Sequence, residues 1–518
     1  MKPLLMRRVT TEGGGSRRTP QLRRLPPPVT LCVSAGVIVL TSAILTWAQQ
    51  PSNNWIAAGS AGVLGAQTEY NTPTGRVGVL LASGPVEMKD HPFFTPLGSN
   101  GRACVTCHQP AYGMSFSAEA ARELWRRTNG KDPLFAAIDG ANCPDQPQEL
   151  EKSHSLLLNR GLIRVFLPVP KNAEFSIEVV TDPPGCNTSP AHGLKSASPT
   201  VSVYRRPRIA ANLKYVTNAG PAIVLKLGAL ADTDPATGRP VGMNFMADAR
   251  EVTLTTQARS ASIGHLQANS VTDEQLRRIV DFESQVYVAQ ASDRTGGSLV
   301  EPGGPATLGP KAMADHRPGV LGDNDYDPVF LFFDSWKTQG TSAQDQFRAS
   351  VARGSDIFMF RQFWLRDATH INSIGLGNPL KRTCATCHNA QMTGQDLSAG
   401  WVDLGTTNYP RWTEPPLYSD AQELPVFKVT CKSTAQPHPY LGRVIYTTDP
   451  GRALISGKCV DVGSIVMQQF RGLSARAPYF SNGSAKNLRE LVDYYDRRFD
   501  MKLTEIDKQD LINFLGVL

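Results

Sequence analysis

The chain has 518 residues, of which 41% are apolar and 19% charged, a globular composition that excludes wholesale disorder. The net charge of +7 is concentrated at one end: Lys2, Arg7, Arg8, Arg17, Arg18, Arg23 and Arg24 are opposed only by Glu12. The remainder is nearly neutral, which excludes a nucleic-acid-binding surface, and at about 150 residues per domain the length predicts two to four domains.

Residues 1–50 read as a signal peptide or an N-terminal membrane anchor. A basic flank precedes an apolar run from Val29 to Ala48, long enough to cross a bilayer. The leader is either cleaved after Ala48 or retained with its basic end in the cytoplasm. Both alternatives place the rest in the periplasm, with the membrane touched only through the N-terminal segment.

Residues 51–290 carry the pentapeptide Cys104-Val105-Thr106-Cys107-His108, whose two cysteines and histidine can hold one haem, and read as an N-terminal c-type haem domain. Its first fifty residues are rich in Gly, Ala, Ser and Pro and suggest irregular chain. A helix is expected over 118–127. Two strands follow, Ile163–Val169 and Glu174–Val180, the second alternating Phe175, Ile177 and Val179 with polar neighbours; their proximity predicts a small β-hairpin, inserted at about 120–190. Thr272 and Gln275 form a capping box before the run Leu276, Ile279, Val280 and Val286, which predicts an amphipathic helix closing the first half. Residues 291–325, rich in Gly and Pro, read as a linker or loop. Residues 326–518 read as a C-terminal haem domain ending in two helices, one from Asn487 to about Phe499 and one after the N-cap Thr504. The expected fold class is therefore mostly α, two cytochrome-c-like haem domains with a β-hairpin insertion and long loops.

Chemistry is carried by Cys104-Val105-Thr106-Cys107-His108 and Cys384-Ala385-Thr386-Cys387-His388. Cysteines three apart lie on one face of a helical turn. Both sulfurs can then form thioethers with one haem, while the adjacent His108 or His388 becomes an axial ligand of its iron. A zinc site would need a second Cys or His pair close by, which neither motif has, and a redox C-x-x-C would not need the following histidine twice. Two c-type haems are expected. Of the other cysteines, Cys32 lies in the leader, and Cys143, Cys186, Cys431 and Cys459 suggest two disulfides in an oxidising compartment. Three connectivities are open; the sequence-local pairs, Cys143 with Cys186 and Cys431 with Cys459, are preferred. Closing such loops stabilises a fold by roughly 3–4 kcal/mol each in the chain-entropy picture.

The other axial position decides between electron carrier and catalyst. Leu488, Leu491, Val492 and Tyr495 form one apolar stripe, which points Tyr495 toward the second haem or its packing shell. Met467 and Met501 compete as ligands there, and Met114 and His154 at the first haem. His91, His192, His316, His370 and His438 carry no assignment.

This arrangement resembles the bacterial dihaem cytochrome c peroxidase superfamily, including its methylamine-utilisation maturation branch. Ala477-Pro478-Tyr479-Phe480-Ser481-Asn482-Gly483-Ser484 is similar to the family's APYFHDGS, Ala247-Asp248-Ala249-Arg250 to its W-D-G-R, and Gln257-Ala258 to the end of its L-E-E-Q-A. The resemblance implies an N-terminal peroxidatic haem and a C-terminal electron-entry haem whose sixth-ligand position aligns with Tyr495, as in the maturation branch. It also implies a small soluble electron donor such as a monohaem cytochrome or copper protein, peroxide or another small oxidant as acceptor, and a homodimer as a common assembly. A bridging calcium ion is common in the family, but no motif here reads as its site. Departures matter: Ala247 replaces the inter-haem tryptophan, Ser481 the histidine, and Gln267 the peroxidatic glutamate. Gln267 cannot shuttle a proton. His265 can, since imidazole titrates near neutrality, so His265, Gln257 and Arg250 are the catalytic candidates. The expected function is a dihaem, peroxidase-like oxidoreductase; the alternatives are a non-catalytic dihaem carrier and a dihaem oxidase of an organic or protein substrate.

Overall fold

The computed structural model describes residues 54–217, 245–315, 332–337, 340–369, 377–388, 401–409 and 420–518, with only the backbone described at Thr386, Cys387, Tyr409, Asp420 and Ala421. The leader, Cys32, His316 and His370 lie outside the described residues. No helix among the described residues is long and apolar enough to cross a membrane.

The architecture is mixed α/β, which corrects the expectation of a mostly α fold built from cytochrome-c-like domains. Two four-stranded sheets and four two-stranded ones are present among the described residues. In the first large sheet, strands β1 (Gln67–Asn71), β2 (Gly75–Leu81), β6 (Val286–Asp293) and β7 (Gly297–Ser298) run in that spatial order. β2 pairs antiparallel with β6, Leu81 opposite Val286 and Val77 opposite Gln290. The stretch expected to be irregular thus supplies a central strand. Val77 and Val79 are wholly buried, as a strand covered on one face requires.

The expected hairpin does not form, although both of its strands do. β3 (Ile163–Pro168) pairs instead with β5 (Thr200–Arg205). β4 (Phe175–Thr181) crosses to the C-terminal half and becomes an edge of the second large sheet, ordered β8 (Asn408–Tyr409), β10 (Val444–Thr447), β9 (Val426–Cys431), β4. The reason is apolar burial. Val165, Val201 and Val203 of one sheet pack with Phe427, Ile177 and Val179 of the other, so the two strands sit in facing layers and the short link between them changes layer. Alternation identifies a strand; it does not identify its partner. Disulfides Cys143–Cys186 and Cys431–Cys459, with Cα atoms 5.1 and 5.9 Å apart, tie down this region.

The helices follow local signals closely. α1 (Ala118–Thr128) is capped by Ser117, α3 (Asp273–Gln285) by the Thr272–Gln275 box, α6 (Leu488–Phe499) by Asn487 and α7 (Glu505–Gly516) by Thr504. α2 (Leu254–Gly264) begins at a Thr253–Thr256 box, and α5 (Ala343–Phe360) packs against α7. Where it is described, the Gly/Pro-rich stretch from 291 finishes β6, makes β7 and carries α4 (Gly309–Asp315), which packs on β6. One apolar core, including Val77, Val105, Leu276 and Val288, surrounds the first pentapeptide. Another, including Val351, Phe358, Ala385, Val492 and Phe514, surrounds the second.

A largely buried charge network ties residues 205–250 to Asp449 of the C-terminal half. Arg205 donates to both oxygens of Asp449 (2.6 and 2.9 Å) and to Asp248 (2.5 Å), which also accepts from Arg250 (2.8 and 2.9 Å). Two cations thus meet two anions. Breaking a buried pair by deleting one partner costs about 3–5 kcal/mol, because the other charge is stranded. Asp449→Ala is expected to lower unfolding stability by that order, read from the midpoint of urea denaturation.

Candidate functional site

Cys104 and Cys107 sit on a tight turn, Cys104–Thr106, in which the His108 amide donates to the Cys104 carbonyl at 3.1 Å. Cys384–Cys387 folds the same way, with the His388 amide on the Cys384 carbonyl at 3.0 Å. The likeness extends to packing: Phe93 stands 6.4 Å from the His108 ring at 42°, and Phe358 stands 6.4 Å from the His388 ring at 41°. His388 also lies 4.4 Å from Phe470.

Met114 has φ +58°, a left-handed conformation uncommon for a non-glycine residue, and its carbonyl lies 3.1 Å from Nδ1 of His108. A carbonyl only accepts, so Nδ1 carries the proton and Nε2 keeps its lone pair for a metal. Burial lowers the His108 pKa to about 4, the Met114 bond working the other way and His265 adding to the fall. The ring is therefore neutral at physiological pH, the state an iron ligand requires. Met114 serves this site through its carbonyl; its sulfur does not line the cavity.

Cys104, Cys107 and His108 open on one cavity, about 1290 Å³ including open solvent at its mouth. Ile163, Val165, Ile209, Leu213, Phe245 and Leu254 give it apolar walls. Gln257, Arg250 and His265, chosen from sequence, all line it, as does Ala247. Helix α2 explains part of this: Leu254, Gln257, Ala258 and Ala261 form one face at helical spacing, and His265 caps its C-terminus. Gln267 turns away with φ +55° and does not line the cavity.

Asp139, from the 120–190 insertion, holds His265 from behind. Its Oδ2 lies 2.6 Å from Nδ1 of His265, and its Oδ1 pairs with Arg102. Arg102 also donates to the carbonyls of Pro133 (2.7 Å) and Leu134 (2.6 Å). Burial opposes the Asp139 charge, but Arg102 and then His265 outweigh it and hold the carboxyl below its ordinary range. Ionised Asp139 accepts from Nδ1–H, which leaves Nε2 of His265 for the cavity. His154 is placed differently: its ring nitrogens lie 2.8 Å from the Gly140 carbonyl and 2.9 Å from that of Gln148, and it braces the insertion outside the cavity lining.

Sequence reasoning passed over Glu283 on α3. Its side chain lines the same cavity, is buried, and has an oxygen without a hydrogen-bond partner among the described residues. Burial pushes its pKa from 4.5 up to about 8. A buried residue on a capped amphipathic helix gives no local signal beyond being charged on the apolar face.

At the second motif, Cys384 is half-buried and belongs to the edge of the C-terminal core, while residues 389–400 and the Cys387 side chain lie outside the described set. The stripe of α6 faces that core: Val492 is buried in it, and Leu488, Leu491 and Tyr495 pack on it. The Tyr495 ring lies among Phe480, Tyr494 and Phe499, with centroids 6.1, 5.5 and 6.2 Å away. Met467 and Met501 are buried in the same core. His438, left unassigned, is buried beside Asp403 at 3.4 Å, and its Nδ1 accepts from the amides of Tyr440 and Leu441. No group of three or more potential metal ligands among His, Cys, Asp and Glu occurs among the described residues.

The cavity residues fit an iron porphyrin: two thiols three apart, a neutral imidazole with a fixed tautomer, apolar walls and buried cations. No protein-family model matches the chain. It is similar to the cytochrome-c peroxidase IdrP1 of Pseudomonas sp. (strain SCT), 27% identical over 149 residues, which is 27% of this chain and 37% of that protein. A solved structure of hydrazine synthase from Kuenenia stuttgartiensis matches 50% of this chain and 60% of its own at 12% identity and a TM-score of 0.25, too slight a likeness to carry an argument. At a coarse level the chain is thus similar, over part of its length, to a protein named as a peroxidase.

A group whose pKa rises on folding favours the fold most at low pH. Glu283 therefore supports stability fully below about pH 4.5, and that support is lost as pH rises through about 8. Glu283→Gln is expected to flatten this part of the curve, read as the thermal midpoint of both proteins from pH 4 to 9 (roughly the window set by those values).

Proposed function

We propose that the protein is an exported oxidoreductase with two covalently attached c-type haems that reduces peroxide at the first of them. One observation carries the reading: Cys104, Cys107 and His108 share a cavity with His265, whose Nδ1 is held by buried, ionised Asp139. The partial likeness to a peroxidase-named relative supports the same class.

The bound iron would supply a centre at which the O–O bond is reduced. The overall reaction takes two electrons and two protons with hydrogen peroxide and gives two waters. The chain's own residues manage the protons. Nε2 of His265 takes a proton from the entering peroxide and returns it to the departing oxygen. Asp139 fixes the tautomer and steadies the imidazolium while the proton is held. Gln257, from the same helix face, offers an amide to the bound oxidant, and Arg250, fixed and neutralised by Asp248, offers guanidinium N–H groups at the wall. Cys384, Cys387 and His388 would hold the second haem, which would take electrons from a small redox protein, and Tyr495 would be a further ligand to its iron. A phenolate there favours ferric iron, so Tyr495→Met is expected to raise one of the two reduction potentials in a spectroelectrochemical titration; no change in either removes the assignment.

The purified chain should show the mass of two macrocycles and a ferric high-spin band that shifts with peroxide or cyanide. Two low-spin haems indifferent to added ligands would identify a carrier instead. Positioned proton transfer contributes typically 10²–10⁴-fold, so His265→Ala should lower kcat/KM for peroxide within roughly that range. Asp139→Asn should lower it less and displace the pH–rate profile, with both visible bands intact.

A further inference from the structure

We infer that Arg206 and Arg208, on the wall of the first cavity and backed by Arg476, form a carboxylate-binding subsite, resting on the haem reading above and assigning these residues to the acidic edge of the bound group or to a small organic acid. The argument begins from charge balance. Three other arginines at this cavity are paired: Arg102 with Asp139, Arg205 with Asp248 and Asp449, and Arg250 with Asp248. Arg206, Arg208 and Arg476 make no salt bridge among the described residues. Their hydrogen bonds among the described residues go to backbone carbonyls, and Arg206 also lies over the Phe116 ring, 5.5 Å from its centroid. Arg206 donates to Phe116 (2.5 Å), Arg476 (2.8 Å) and Gly161 (3.2 Å); Arg208 to Val466 (2.9 Å) and Met467 (2.7 Å); and Arg476 to Gln469.

Buried charges are ordinarily paired, because carbonyl dipoles do not replace a counter-ion. Arg206 is 6% and Arg476 7% exposed. Burial, followed by the charge of Arg476, lowers the pKa of Arg206 to about 9 and of Arg208 to about 10, so the cations act on one another. Donors also stand idle: among the described residues Nε of Arg476 and Nε2 of Gln468 have no hydrogen-bond partner, and neither does the acceptor Oε1 of Gln469. Arg206, Arg208, Gln468 and Gln469 all line the cavity that holds Cys104, Cys107 and His108. A planar guanidinium fork matches a carboxylate. A porphyrin tethered through its vinyl side carries two carboxylates on the opposite edge, the number and chemistry that would offset most of this charge.

The test uses the purified, haem-loaded full chain, Arg208→Gln, and Arg208→Lys as the charge-keeping variant, with acetate as the free carboxylate. Occupation by the porphyrin carboxylates predicts three results. Arg208→Gln shifts the propionate bending band in resonance Raman and lowers one reduction potential; Arg208→Lys moves both less; acetate has no saturable effect. Occupation by a free acid predicts a saturable rise in thermal midpoint with acetate, with affinity weakened roughly tenfold in Arg208→Gln, as loss of a charged hydrogen bond implies, and an unmoved Raman band. Unchanged Raman bands and potentials in Arg208→Gln, together with no acetate response, overturn the subsite. A colourless protein would instead sink the haem reading, and the acetate titration would still decide this one.

Discussion

Asp139 is a carboxylate with 1% of its surface exposed, and each of its oxygens has a fixed task. One holds Arg102, the other the Nδ1–H of His265. In a low-dielectric interior an ionised acid is tolerated only with such partners. That requirement binds three segments that are distant in sequence: the approach to the first pentapeptide, the insertion, and the end of α2. The cavity keeps its shape because the charge leaves these segments no freedom to separate.

The same constraint explains how buried charge is divided across the molecule. Arg205, Asp248, Asp449 and Arg250 form a closed, neutral set that joins β5 to the loop after β10 and to the turn at Ala247–Arg250. Arg206 and Arg208 follow directly along the same chain and have no such set. Neighbouring residues on one extended run therefore do different work: Arg205 joins pieces of the protein, whereas the next two cations present their charge to the cavity. Glu283, neutral over most of the physiological range, does not cancel them.

Much of the helical content was readable because caps and periodicity are local. The Thr272–Gln275 box, the Asn487 and Thr504 caps and the stripe of α6 all depend on residues within a few positions of one another. The sheets were not readable for the opposite reason. β2 pairs with β6 some two hundred residues away, and β4 with β9 still farther on; nothing in Phe175–Thr181 says that its neighbour is Val426–Cys431. At the site, Gln257 and His265 can be read as one helix face, since eight residues is about two turns. Asp139 and Glu283 could not, because each matters through a contact or a burial created only by the tertiary fold.

The stretch 120–190 carries neither pentapeptide and at first sight could be spared. It is not an ornament. Ile163 and Val165 form part of the cavity wall, and Asp139 stands behind His265. A chain trimmed to a minimal form would keep both pentapeptides yet open a window to water on one side and leave an imidazole free to rotate. Removing this segment would therefore change the setting of the His265 ring without any substitution on α2 itself.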